Sequence, residues 1–266
     1  MTGEVVERVL CSSRYRDVDR SLVGRLAAEE LPRARNVDDA VKRVKRRLHQ
    51  AVGAFRGATR GNAIADAWKG DLAQPAFRAA CTDALRGHAS TRERLPHLDT
   101  FFAGIWAHTG VPASVLDLGC GLGPLALPWM GIGEAEYVAI DVDYRPLATA
   151  EAFLTTVRQP HRVEGRDLVS APTEDEAEVA LLLKLVTTLD RQDPGAAGRV
   201  LRSLRVRHAV VSFAARSLGG RGKGMEHTYR ARLERLVIDA GRVSAVAEAS
   251  VPNELVFVLT LDAVDG

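Results

Sequence analysis

The residues of this chain best suited to hold a ligand follow one apolar run. Ser114 to Leu118 leads into Gly119-Cys120-Gly121-Leu122-Gly123. Glycines there permit positive φ and close backbone approach, and a helix beginning just beyond offers unpaired N–H groups. A second apolar run ends at Asp141, about twenty residues on, where a carboxylate can accept hydrogen bonds from ribose hydroxyls. Asp167 and Leu168 follow a third run and offer a carboxylate and an apolar contact; on position alone, a solvated loop aspartate is the alternative. Lys184 interrupts Leu181, Leu182 and Leu183. A cation among aliphatic side chains is costly without a partner or water, so Lys184 is expected to face the site, with snorkelling to solvent as the alternative. A dinucleotide fingerprint would need glycine where Pro124 stands, which argues against NAD. No His, Asp or Glu cluster has metal-ligand spacing, so no metal is expected, and no Ser or Cys belongs to a recognisable nucleophile motif. The small size of Cys120 accounts for its place in the turn.

The elements that must position these residues are legible in the periodicity. From about residue 2 to 109 apolar residues recur at three and four positions, predicting a helical N-terminal domain, 1–109. Ala40, Val41, Val44, Leu48, Val52 and Phe55 share a helix face, with Lys42, Arg43, Lys45, Arg46 and Arg47 on the others. Ser90-Thr91-Arg92-Glu93 has capping-box spacing and predicts a helix running towards His108, with Pro96 as a kink. After Pro112 short apolar runs alternate with helical stretches, the pattern of a parallel sheet with crossovers, giving a second domain over 110–266. Seven strands are expected: Ser114 to Leu118, Tyr137 to Asp141, His161 to Gly165, Val179 to Leu185, His208 to Phe213, Arg242 to Ala249 and Leu255 to Leu261. Helices are expected at Pro124 to Met130, Asp143 to Val157, Gly195 to Leu204 and Met225 to Ala240. Only Ser250 to Glu254 separates the last two strands, so they should form an antiparallel hairpin.

Charge is strongly segregated behind a net value of +2. Residues 1–60 carry 14 Lys/Arg against 8 Asp/Glu, and 199–235 carry 10 against 2. Seven basic residues and no acid lie between Lys42 and Ala65. Such blocks suit a polyanionic partner, with a solvated cationic face as the alternative. The segment Ser217 to Gly224 combines four glycines with Arg221 and Lys223, which suits contact with a phosphate backbone. The three scattered cysteines indicate no disulfide framework, and no stretch has the length of a membrane span, so a soluble cytoplasmic protein is expected.

Particular strings add a family resemblance. The G-x-G-x-G run resembles motif I of S-adenosylmethionine methyltransferases, where no pyrophosphate has to be seated. DAVKRVKRRLHQAVGAF, HASTRERLPHLDTFF, VLDLGCGLGPLALPWM, LLLKLVTTLD and SLGGRGKGM resemble the aminoglycoside-resistance 16S rRNA guanine-N7 methyltransferases of antibiotic-producing actinomycetes and resistant pathogens, from about residue 38 to Leu261. One departure is Gly123, where that family carries asparagine. The resemblance implies a Rossmann-like, seven-stranded methyltransferase fold preceded by a helical domain. It implies S-adenosylmethionine as methyl donor, with His88, Thr91 and Arg92 near its methionine end and Arg92 pairing its carboxylate. Gly119 and Gly121 would line the cofactor, Asp141 hold the ribose, Asp167 and Leu168 receive the adenine, and Leu183 and Lys184 flank the methyl-transfer site. It further implies that the substrate is the assembled 30S subunit at the decoding-site helix, with the basic N-terminal helices docking on it. The acid-free block makes Lys42, Arg43, Lys45 and Arg46 the expected docking cations, Arg221 and Lys223 are the expected RNA contacts of the glycine-rich segment, and a monomer is expected. Without the resemblance, two other readings stay open: a small-molecule methyltransferase with a helical lid, and a non-catalytic ribosome-binding protein of the same fold.

Overall fold

The computed structural model describes residues 1–53, 61–87, 89–214, 223–252 and 254–263. The chain opens with helices α1 (Thr2–Leu10), α2 (Arg20–Glu30) and α3 (Val37–Leu48), the last running into a π-helical turn, His49–Gly53. Asp19 caps α2 by accepting the Ser21 and Leu22 N–H groups at 2.9 and 3.2 Å, and Asn36 caps α3 by accepting from Asp39 N–H. Asp38 and Asp39 in the first turn of α3 and Lys45, Arg46 and Arg47 in its last complement the helix dipole. These helices close over a cluster of their own that includes Val5, Leu22, Leu26, Val44 and Leu48.

Helices α4 (Gly61–Ala67), α5 (Pro75–Arg86), α6 (Ala89–Arg92) and α7 (Leu98–Thr109) follow. The core is partitioned differently from the expected division at 109/110. Phe77, Leu85, Phe101 and Ile105 share a cluster with Val115, Val179 and Val210 of the sheet, so only the first three helices pack as a unit apart. The helix expected from Ser90 to near His108 is interrupted: α6 lasts four residues, a 3₁₀ turn spans Leu95–His97, and α7 starts at Leu98. Pro96 has no N–H to continue an α-helical ladder, which breaks the helix rather than kinking it.

The remainder alternates strand and helix: β1 (Ser114–Leu118), a 3₁₀ turn and α8 (Leu127–Met130), β2 (Glu136–Asp141), α9 (Tyr144–Val157), β3 (His161–Gly165), β4 (Glu176–Leu183), α10 (Val186–Gln192), α11 (Ala196–Ser203), β5 (Arg205–Ala214), α12 (Lys223–Ala240), β6 (Val243–Ala249) and β7 (Glu254–Leu261). They form one sheet of order β3-β2-β1-β4-β5-β7-β6, parallel except where β7 pairs antiparallel with β5 and β6. Alternate residues serve opposite layers. Val179, Leu181, Val256 and Val258 face the layer containing α5, α7 and α9, while Ala180, Leu182, Phe257 and Leu259 face that of α10, α11 and α12. β4 ends at Leu183 rather than Leu185 because Lys184, at φ +61°, turns the chain out of the sheet.

Candidate active site

Strand order reverses beside β1, whose neighbours β2 and β4 lie on either side, and ligands of open α/β sheets bind beyond the carboxyl ends of strands at such a point. A cavity of about 150 Å³ lies there. Its lining includes Gly119, Gly121, Asp141, Asp167, Leu168, Leu183 and Lys184, so the structure gathers these seven sequence-predicted residues.

The turn after β1 is built for close approach. Gly119 and Gly121 have φ of +61° and +51°, a conformation costly for side chains with a Cβ. A Cβ on Gly119 would also lie 2.6 Å from Leu185 Cδ1. Asp141 holds the turn from below: its Oδ2 accepts the Gly121 N–H at 2.8 Å, and its Oδ1 accepts those of Val142 and Asp143 at 2.7 and 3.0 Å. Burial pushes the Asp141 carboxyl above its ordinary value, against these three hydrogen bonds. With three partners for about four lone-pair positions, it keeps an acceptor for a hydroxyl arriving in the cavity.

Asp167 is placed differently. Its carboxylate, 2% exposed, accepts Arg25 Nε at 2.7 Å and Arg25 Nη2 at 3.2 Å, across 142 residues of chain. Arg25 belongs to α2, and the helical unit α1–α3 therefore sits over the ends of the adjacent strands β2 and β3 and the end of α10. Further ties fix it there: Asp19 N–H donates to Val142 O (2.7 Å), Tyr144 N–H to Asp17 O (2.8 Å), and Arg47 Nη2 to Gln192 O (2.7 Å). Ala51 and Val52 complete that wall of the cavity.

At the other end, Lys184 Nζ donates to Glu93 Oε2 at 2.6 Å and to Ser90 O at 2.9 Å, and lies 3.2 Å from Glu254 Oε1. Lys184 thus faces the site, held there by two carboxylates. Thr91 and Arg92 stand elsewhere. Thr91 is buried with its hydroxyl donating to Leu85 O (2.6 Å), and Arg92 is exposed with Nε donating to Arg86 O (3.2 Å); neither lines the cavity. His88, Phe55 and Arg221 lie outside the described residues, as do the rest of residues 215–222 and the side chain of Lys223, the first residue of α12.

Thr91 instead borders a second cavity of about 10 Å³, room for one water, with Arg94, Asp117 and Gly123. Asp117 is buried on β1 and accepts the Tyr137 hydroxyl at 2.7 Å. Burial lifts its carboxyl to about 7, with Asp141 adding to the rise and the Tyr137 bond and Arg94 opposing it. Sequence reading missed Asp117, although a lone acid inside Val115-Leu116-Asp117-Leu118 was its visible signal. It also missed Gln192 and Arg25, which only the tertiary structure brings to the site. Among the described residues, no group of three or more His, Cys, Asp or Glu could hold a metal ion, and no helix is long and apolar enough to cross a membrane.

Residues 11–258 match the family model described as Ribosomal RNA methyltransferase (FmrO). The chain belongs to that ribosomal RNA methyltransferase family. It is 38% identical to a 16S rRNA (guanine(1405)-N(7))-methyltransferase of Micromonospora echinospora, the alignment covering 96% of this chain and 95% of the relative. A protein of the same name from Frankia casuarinae is 40% identical, covering 96% and 92%. Among solved structures, the 16S rRNA methyltransferase RmtF in complex with S-adenosyl-L-homocysteine superposes with a TM-score of 0.81 at 33% identity, covering 98% of both chains. The 16S rRNA methylase RmtB gives 0.79 at 26% identity, covering 98% of this chain and 99% of its own. The protein is an enzyme with the S-adenosylmethionine-dependent methyltransferase fold. The cavity fits that methyl donor: a positive-φ glycine turn, a carboxylate with acceptor capacity and a second buried carboxylate line one cleft at the switch point.

Proposed function

We propose that this protein methylates N7 of guanine 1405 in 16S rRNA within the assembled 30S subunit, conferring resistance to aminoglycosides such as kanamycin and gentamicin. The observation carrying this reading is near-full-length identity of 38–40% to relatives bearing that activity in their names. S-adenosylmethionine, when bound, supplies an electrophilic sulfonium methyl. Gly119 and Gly121 would admit it, Asp141 hold its ribose, Asp167 and Leu168 its adenine, and Leu183 and Lys184 border the transfer site.

Guanine N7 offers a lone pair and carries no proton, so transfer needs alignment rather than a general base. The site is consistent with this. Asp141 and Asp167 are occupied by backbone N–H groups and by Arg25, and Lys184 is tied to Glu93 and Glu254. The residues act by binding, orienting and excluding water. The target base must leave its helical stack to reach them, by flipping or distortion of the rRNA.

Docking is assigned to α3. Its apolar face, Ala40, Val41, Val44 and Leu48, is buried, while Lys42 and Arg46 are exposed and Lys45 is partly so. Among the described residues these three make no ion pair, whereas Arg43 contacts Asp39 and Glu30. The segment containing Arg221 and Lys223 keeps its sequence-based assignment to RNA. Expression in a susceptible bacterium tests the whole reading: kanamycin and gentamicin resistance is expected together with a modified guanine by primer extension across the decoding site. Resistance without that modification would overturn it.

A further inference from the structure

We infer that Arg25 is a positioning residue of the cofactor site, holding Asp167 as the acceptor for the adenine amino group, so that the N-terminal helical unit forms part of that site. The inference rests on the assignment of Asp167 to adenine.

All four acceptor positions of Asp167 are taken. Oδ2 receives Arg25 Nε at 2.7 Å and the Ser170 hydroxyl at 3.0 Å; Oδ1 receives Arg25 Nη2 and Val169 N–H, each at 3.2 Å. These partners are not equivalent. The guanidinium fork is planar and fixes the plane of the carboxylate, and the Val169 N–H is part of the backbone. Ser170 is exposed, its hydroxyl rotates, and the Asp167 carbonyl already stands 3.3 Å from it as another acceptor. Ser170 is therefore the partner that can yield Oδ2 to an exocyclic amino group, while the Arg25 fork keeps the carboxylate aimed.

Arg25 is itself held rigidly. Its side chain is 14% exposed, Nη2 donates to Gln192 Oε1 at 2.8 Å, and Nη1 donates to Glu29 Oε1 at 3.1 Å. Burial would lower its affinity for a proton, but Asp167 and Glu29 outweigh that and raise it above its ordinary value. Arg47 in turn engages Glu29. Gln192 and Asp167 both line the cavity, and Arg25 braces the two. It is not required merely to dock the helical unit, because the ties from Asp19, Tyr144 and Arg47 remain without it.

Calorimetry on the full chain with S-adenosylhomocysteine and S-inosylhomocysteine separates positioning from structure, since the inosyl ligand carries an oxo group in place of the amino group. Wild type should favour the adenosyl ligand by about tenfold or more. Arg25→Gln should lose about tenfold in adenosyl affinity while inosyl affinity stays within about twofold. Arg25→Lys, which keeps the charge without the fork, should fall between them, and Ser170→Ala should retain the full preference. Equal weakening of both ligands in Arg25→Gln, or an unaltered preference, overturns the inference alone. An absent preference in wild type overturns the adenine assignment and the inference with it. Should Arg25→Gln fail to fold, Arg25→Lys and Ser170→Ala decide: a preference lost in Ser170→Ala or unchanged in Arg25→Lys counts against the proposal.

Discussion

Lys184 Nζ lies 2.6 Å from Glu93 Oε2 and 3.2 Å from Glu254 Oε1, so one ammonium spans two carboxylates that are distant in the chain. The side chain of Glu254 is fully buried and also takes both arms of Arg94, at 2.6 and 3.0 Å. Burial would raise the Glu254 carboxyl, but Arg94, Lys184 and Ser212 hold it below its usual range. Removing one partner of such a pair leaves an uncompensated buried charge, worth about 3–5 kcal/mol. Arg94→Met is expected to destabilise by that amount in urea unfolding. Adding Glu254→Gln should recover part of the loss, and strict additivity of the two changes would contradict the pairing.

The exposed face of α3 divides the four cations assigned to docking. Lys42, Lys45 and Arg46 are without ion pairs among the described residues, while Arg43 is paired to Asp39 and Glu30. Charge reversal at Lys42, Lys45 and Arg46 together should weaken 30S binding and leave S-adenosylhomocysteine affinity intact. The slope of log affinity against log salt should flatten by about one for each phosphate no longer neutralised. Arg43→Glu should instead lower the thermal midpoint. Subunit-binding titrations at two salt concentrations, beside calorimetry and thermal melts, distinguish the two.

That split shows where sequence reading reached its limit. The apolar stripe Ala40, Val41, Val44 and Leu48 identifies α3 and its buried face because helical period and burial coincide. The strands were visible for the same reason, and the glycine turn with Asp141 is a local pattern whose spacing survives folding. Which cation finds an acid is decided by neighbours such as Glu30 on another helix. Arg25 and Asp167 meet across 142 residues with no local signature in either. The capping-box spacing at Ser90 misled because Pro96 outweighed it, and α10 was missed because Val186, Thr187 and Thr188 favour extended backbone.

Asp117 supplies a pH test. Its carboxyl is lifted to about 7 by burial, so the folded state favours the neutral acid. Below the unfolded-state value near 4 both states are protonated and nothing is lost. As pH rises towards 7 only the unfolded state ionises, stability falls, and above 7 the deficit is constant, at most about 4 kcal/mol. Asp117→Asn keeps an acceptor for Tyr137 and removes the titration. Its stability relative to wild type should therefore climb between about pH 4 and 7 and then level off. A difference independent of pH in denaturant unfolding would refute the assignment. The same carboxyl bears on Gly123, where a Cβ would lie 2.6 Å from Asp117 Oδ2. Asparagine at that position, as in the family pattern, requires the Asp117 side chain to move.

Gly119 and Gly133 have similar backbones, at φ +61° and +55°, and different surroundings. A Cβ at 133 meets nothing within 4 Å, whereas one at 119 lies 2.6 Å from Leu185 Cδ1, at the start of α10. Gly133→Ala should cost only the left-handed penalty of about 1–2 kcal/mol and leave S-adenosylhomocysteine affinity unchanged. Gly119→Ala carries the same penalty and must also displace Leu185, which lines the cavity beside Lys184. It should destabilise by about 1–3 kcal/mol more than Gly133→Ala and weaken ligand binding about tenfold. Thermal unfolding and calorimetry on both variants provide the comparison. Equal effects on stability and binding would show that glycine is needed at 119 for its backbone angle alone, and not for the space it leaves to Leu185.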